Sequence, residues 1–164
     1  MARITPDEYT KIHIVDSIST TSAPTIGEIT AGTEVTGFLT PAGLDTPEEG
    51  TDADISSIAS ATDLSVPATI GGDVSGEFYR DDGTGSTTDE AWDAMARLTV
   101  THIVISRFGG SGTDNAIIAA DVVEVWPVRV SQRSNARITR GEALRFVATF
   151  AKSAQPELTA TVAA

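Results

Sequence analysis

The chain contains no cysteine, two histidines, two lysines and only 5% aromatic residues in 164 positions. Without cysteine there is no disulfide, no thiol nucleophile and no Cys-based zinc site. No apolar run reaches the length of a membrane-spanning helix, so no span is expected. Residues 1–15, MARITPDEYTKIHIV, are too mixed and too acidic for a secretory leader. Positive charge is scarce: 11 Lys/Arg against 23 Asp/Glu leave a net of −12. That balance argues against gripping nucleic acid through its phosphates, which takes Lys/Arg patches. Leucine and lysine are also thin, whereas threonine occurs 23 times, and 14 glycines and 7 prolines punctuate the chain. This is the composition of one mainly β domain with many turns, over 1–164.

The charge is divided. Residues 1–93 carry 18 Asp/Glu and 3 Lys/Arg, a net of −15, and residues 94–164 carry 5 Asp/Glu and 8 Lys/Arg, a net of +3. Along the chain, residues 1–12 read as a polar N-terminal arm. Strands are expected at 13–20, 34–40, 63–70, 73–80, 98–108, 121–131 and 142–151, with a short one after Pro156. Segment 22–26, with Pro24, reads as a break. Residues 41–61 read as a long acidic loop with two prolines, two glycines and no cation. Gly71-Gly72 suggests a tight hairpin between the strands on either side. Residues 87–97 form the one expected helix: Thr87 and Glu90 have capping-box spacing, and Ala91, Trp92, Met95 and Leu98 make an apolar stripe. Segment 98–108 is apolar on both faces and should be central. Pro127 inside the next strand implies an edge or a bulge.

No catalytic constellation emerges. His13 and His102 stand far apart without a spaced serine or carboxylate partner, and His102 reads as a core or interface residue. GGSGTDN at 109–115 lacks the Lys-Ser/Thr ending of a phosphate loop. The acidic run 45–54 has the wrong order for a calcium loop. The chain therefore reads as a non-enzyme without metal or cofactor.

The run GDVSGEFYRDDG, then TTDEAWDAMARL, TVTHIVISRFGG and DVVEVWPVRVSQRSNARITRGEALRFVATFA resembles major tail tube proteins of long-tailed (siphovirus-type) bacteriophages. Phe78, Tyr79, Arg80 and Asp81 precede Asp89, Glu90 and Trp92 in the order that family shows, and the likeness covers residues 72–151. It implies an antiparallel β-sandwich or partial barrel flanked by one short α-helix. It further implies homo-oligomeric, hexameric rings stacked into a hollow conduit in the virion tail, assembled in the host cytoplasm. A tape-measure protein and a tail terminator are the implied partners, and DNA passes without specific binding. A head-completion or decoration protein with a β domain is the alternative.

Under that resemblance the charge acquires two roles. Acidic groups facing inward, with Asp63, Asp73 and Glu77 as candidates, would repel DNA and keep it moving. The bland alternative is an acidic outer wall that aids solubility. Separately, Asp45, Glu48, Glu49, Asp52 and Asp54 of one subunit would meet Arg129, Arg133, Arg137 and Arg140 of a neighbour, joining acidic half to basic half.

Overall fold

In the computed structural model residues 9–54, 65–81 and 89–164 are described, with 49–54 and 65–70 described by backbone alone. Ten strands and two short α-helices run in the order β1 (Lys11–Val15), α1 (Ile26–Ala31), β2 (Thr33–Glu34), β3 (Leu39–Asp45), β4 (Glu49–Asp54), β5 (Ser65–Gly71), β6 (Val74–Tyr79), α2 (Glu90–Ala94), β7 (Val100–Ser106), β8 (Val122–Asn135), β9 (Arg145–Lys152) and β10 (Glu157–Thr161). Every strand pair is antiparallel. The main sheet follows the order β2-β1-β7-β8-β9-β6-β3, and β10 joins β8. The protein is mainly β, as its composition implies.

The two ends of this sheet are consecutive in the chain. β2 and β3 are outermost, yet only Val35 and a 3-10 turn, Thr36–Phe38, separate them. The sheet must therefore roll until its ends nearly meet. Val35 marks the tie: it is fully buried, and its N–H donates to the Ile12 carbonyl at 2.9 Å. Thr36 Oγ1 accepts from the Ile12 N–H at 2.9 Å. The result is a partial barrel, closed by the chain at one end and open along a cleft lined by Ile12, Leu39, Leu44, Tyr79, Ile105 and Arg107. The interior holds Val74, Phe78, Ile103, Trp126, Phe146 and Phe150, with Ala91 of α2 and Met95 at its C-terminal cap packed in. Phe78 stacks on Phe146 with ring centroids 5.4 Å apart.

β7 and β8 are buried on both faces, as the continuous apolar run of 98–108 requires. Ile103, Ile105, Trp126 and Val128 face the interior, while Val104, Val123 and Val125 join a second cluster. That second cluster is covered by α1 through Ile29, and by Ile18, Ile117 and Val162. The sequence marked α1 only as a break. It is six residues long and begins with a complete capping box: Thr25 Oγ1 accepts from Glu28 N–H, and the Glu28 carboxylate accepts from Thr25 N–H at 2.8 Å. A helix this short stands only because it docks.

Other expectations change. Residues 34–40 are not one strand but the β2–turn–β3 tie. The described part of the expected acidic loop is extended, forming the end of β3 and all of β4. β5 pairs with β4 and not with β6, so Gly71-Gly72 is not a tight hairpin. Instead β3–β4 and β5–β6 are the arms of one long hairpin. Leu44 faces Gly76, Asp45 faces Ser75, Glu49 faces Gly71 and Thr51 faces Thr69, a single register across a gap in the ladder at 46–48 and 72–73. Pro127 lies in a central strand, not at an edge. It is tolerated because β8 changes partner there, from β10 at Val125 to β9 at Val128.

Both histidines lie on the outer face of the β1–β7 pair, where His13 faces Val104 and His102 faces Val15. Burial lowers both pKa values, against Glu34 at His13 and against a Val15 backbone hydrogen bond and Glu28 at His102, with Lys11 adding to the lowering at His13. The Nδ1 atoms of both are buried without a hydrogen-bond partner. A base whose folded pKa lies below its unfolded value of about 6.5 binds more protons when unfolded. Its contribution is complete above that value and is lost as pH falls below it. Thermal unfolding between pH 8 and pH 5 should show a falling Tm that flattens in the double variant His13→Gln/His102→Gln; a Tm that holds or rises in the parent would contradict this.

Candidate functional site

Charge is concentrated at the two ends of the four-strand region β3-β6-β9-β8. At one end the β3–β6 pair continues past Asp45 and Ser75 into β4–β5, carrying Asp45, Glu48, Glu49, Asp52 and Asp54 along one arm. Asp45 and Glu48 are exposed. At the other end β8 and β9 are joined by residues 136–144, which hold Arg137, Arg140 and Glu142. Arg137 and Arg140 are exposed and have no ion-pair partner among the described residues. Beside them Ile138 and Leu144 are 78% and 56% exposed. Register fixes the opposition: Phe78 lies beside Phe146 near the basic loop, while Val74 lies beside Phe150 near the acidic arm. Roughly 40 Å of strand runs from the far end of β5 to Phe78.

Four arginines were expected to act together, and the structure divides them. Arg129 pairs in register with Ala151, toward the acidic end, and is exposed. Arg133 is engaged within the chain. Its guanidinium lies over the Trp92 ring at 3.8 Å from the centroid and donates to the Trp92 carbonyl. Only Arg137 and Arg140 are left free at the basic end. Of the candidate channel-facing groups, Asp63 lies outside the described residues. Glu77 lies on the face of β6 that points away from the core, and Asp73, just before β6, is exposed. Glu77 bridges to Arg145 at 3.3 Å and accepts from Thr40 Oγ1 at 3.3 Å.

The Phe-Tyr-Arg-Asp and Asp-Glu-x-Trp runs converge on α2. Thr87 lies outside the described residues, and the cap is Asp89, whose carboxylate accepts from the Trp92 N–H at 3.3 Å. The helix spans Glu90–Ala94, shorter than 87–97. The same carboxylate pairs with Arg80. Arg80 in turn also lies over the Trp92 ring, 4.0 Å from its centroid, and donates to Asn135 at 2.7 Å. Trp92 meets Phe146 edge-on at 5.1 Å. One aromatic ring thus gathers two guanidinium groups and ties α2 to β6, β8 and β9. The sequence showed the motif but not that its job is to hold the helix.

Two contacts escaped the sequence altogether. Lys152 Nζ donates to the carbonyls of Pro47 at 2.6 Å and Gly71 at 2.9 Å. Arg107 pairs with Glu124 and donates to Thr46 Oγ1 at 3.0 Å. No local pattern links positions this distant. Among the described residues no helix is long and apolar enough to cross a membrane, and no cluster of three or more metal-ligating side chains occurs.

The arrangement is a rolled antiparallel sheet with a clamped helix, an acidic arm continuing past one end and a basic loop at the other, the frame of a structural β domain. The family model described as phage tail tube protein matches residues 1–164, and the chain belongs to that family. It is a structural protein of the phage tail, in a family whose members assemble with themselves and with other tail proteins. A chain in the cryo-EM structure of the anti-feeding prophage (AFP) baseplate, 6-fold symmetrised, is similar with a TM-score of 0.50 and 8% identity over 96% of each chain, a likeness of fold alone. No curated protein sequence matches.

Truncating Trp92 removes an aromatic contact and both cation–π partners at once. Trp92→Ala should cost about 2–4 kcal/mol and Asp89→Ala about 1–2 kcal/mol. Denaturant titration of both variants checks the order; equal, negligible losses would show that α2 is held elsewhere.

Proposed function

We propose that this chain is the repeating subunit of a non-contractile, siphovirus-type tail tube, stacked as six-membered rings around a channel through which the genome leaves the virion. The observation that carries the reading is the opposite charge at the two ends of the β3-β6-β9-β8 region, where it continues into the β4–β5 ribbon and where the β8–β9 loop closes it. A surface whose donor and acceptor patches lie at opposite ends associates head-to-tail, and such contacts repeat without limit along an axis. The acidic arm of one ring then meets Arg137 and Arg140 of the next, while Ile138 and Leu144 supply apolar area that is otherwise exposed. Arg133 holds the loop through Trp92, and Arg129 takes part in contacts nearer the acidic end. The ring number of six follows the symmetry of the baseplate whose chain shares the fold. Assembly in the host cytoplasm on a tape-measure protein, ended by a tail terminator, completes the proposal.

For the channel wall we put forward the face of β6, β9 and β8 that points away from the core. Its described charges, Asp73 and Glu77 against Arg145 and Arg129, balance. DNA bearing one charge per about 1.7 Å of duplex would find no basic stripe there to hold it. The repulsive part of this reading rests on Asp63.

Reversing the acidic patch with Glu48→Lys/Glu49→Lys should suppress tube formation seen by negative-stain microscopy, most strongly at low salt where screening is weak. Adding Arg137→Glu/Arg140→Glu to the same chain should restore it. Polymerisation unchanged by the first pair would remove the charge argument.

A further inference from the structure

We infer that Lys152 is a latch that fixes the direction in which the acidic hairpin projects. The hairpin keeps one register from β3–β6 into β4–β5, but its ladder lapses at 46–48 and 72–73. Three features make that lapse a joint. Pro47 has no N–H to offer a ladder. Gly72 sits at φ +97, a left-handed setting that side chains disfavour. The strands on either side belong to two separate sheets. A two-stranded ribbon beyond such a joint has no intrinsic reason to hold one angle.

Lys152 supplies that reason. It is the last residue of β9, the neighbour of β6, and its Nζ reaches across the joint to both arms, to the Pro47 carbonyl and to the Gly71 carbonyl. Pro47 lies within the lapse on one arm and Gly71 at its distal edge on the other, so one ammonium group carried by the main sheet holds both arms of the hairpin at the joint. The stem is itself steered, because Nζ lies 5.0 Å from the centroid of the buried Trp126 ring. Arg107 makes a lesser tie from β7 to the Thr46 side chain, while its own orientation is set by Glu124. The latch belongs to the isolated subunit. Its consequence for stacking rests on the function proposed above, since an arm of fixed direction meets a neighbouring ring with less ordering to lose.

The absence of native cysteine makes the test direct. Spin labels at Thr51→Cys on β4 and Gln132→Cys on β8 report the angle of the hairpin through their distance distribution. The parent should give one narrow peak. Lys152→Met should broaden it at least twofold, Lys152→Gln should do likewise if the methionine variant does not fold, and Lys152→Arg, which keeps donors, should stay near the parent. Distributions as narrow as the parent in both Met and Gln variants would overturn the latch, as would equal broadening by Arg. Broadening without any loss of tube formation would uphold the latch and count against the stacking role of the hairpin.

Discussion

The tie between β2 and β3 is the constraint on which the rest depends. A sheet whose outermost strands are separated in sequence by Val35 and one 3-10 turn cannot lie flat. Rolling creates an interior, and Phe78, Trp126, Phe146 and Phe150 fill it. These four are the largest fully buried side chains, and Phe38 and Trp92 pack against them. The roll also leaves the second face of β7 and β8 exposed to the outside, which is why α1 and the C-terminal residues Ala160 and Val162 are needed to cover it. With the sheet fixed, its two ends are fixed, and the acidic arm and basic loop inherit their opposition from strand register.

That opposition changes the meaning of the net charge. A total of −12 describes a soluble, self-repelling particle. Resolved on the structure, five of the acidic groups follow one another along one hairpin arm, and Arg137 and Arg140 lie on the loop at the opposed end of the β3-β6-β9-β8 region. Arginines nearer the core are absorbed internally: Arg80 and Arg133 by Trp92 and its neighbours, Arg145 by Glu77 and Glu142. The division between internal and free cations cannot be read from composition, because it depends on which side chains the helix brings within reach.

Much of the fold was legible wherever one strand face is buried. Val74, Gly76 and Phe78 alternate with Ser75, Glu77 and Tyr79, and the burial of β6 alternates with them. The central position of β7 followed from its two apolar faces. Other parts were hidden by the same rules. Pro24 masked α1, although Thr25 and Glu28 carry a capping box as clear as the one read at Thr87 and Glu90. Prolines, glycines and carboxylates at 41–54 disguised strands whose stability comes from pairing with residues further along the chain, from Asp54 with Ser65 to Leu44 with Gly76, not from propensity. Of the candidate contact residues, the acidic set was placed on one arm as a group, while the arginines were divided, because a sequence reports charge and not the tryptophan over which it lies.

The central claim, head-to-tail contact between the acidic arm and the basic loop, is tested most directly by disulfide trapping between copies. Chains bearing Glu48→Cys are mixed with chains bearing Arg140→Cys under assembly conditions and then oxidised. The account predicts crosslinked dimers that appear only in the mixture, and extended ladders when both substitutions lie in one chain. Crosslinks of equal yield among Glu48→Cys chains alone, or none in the mixture while tubes form, would contradict it.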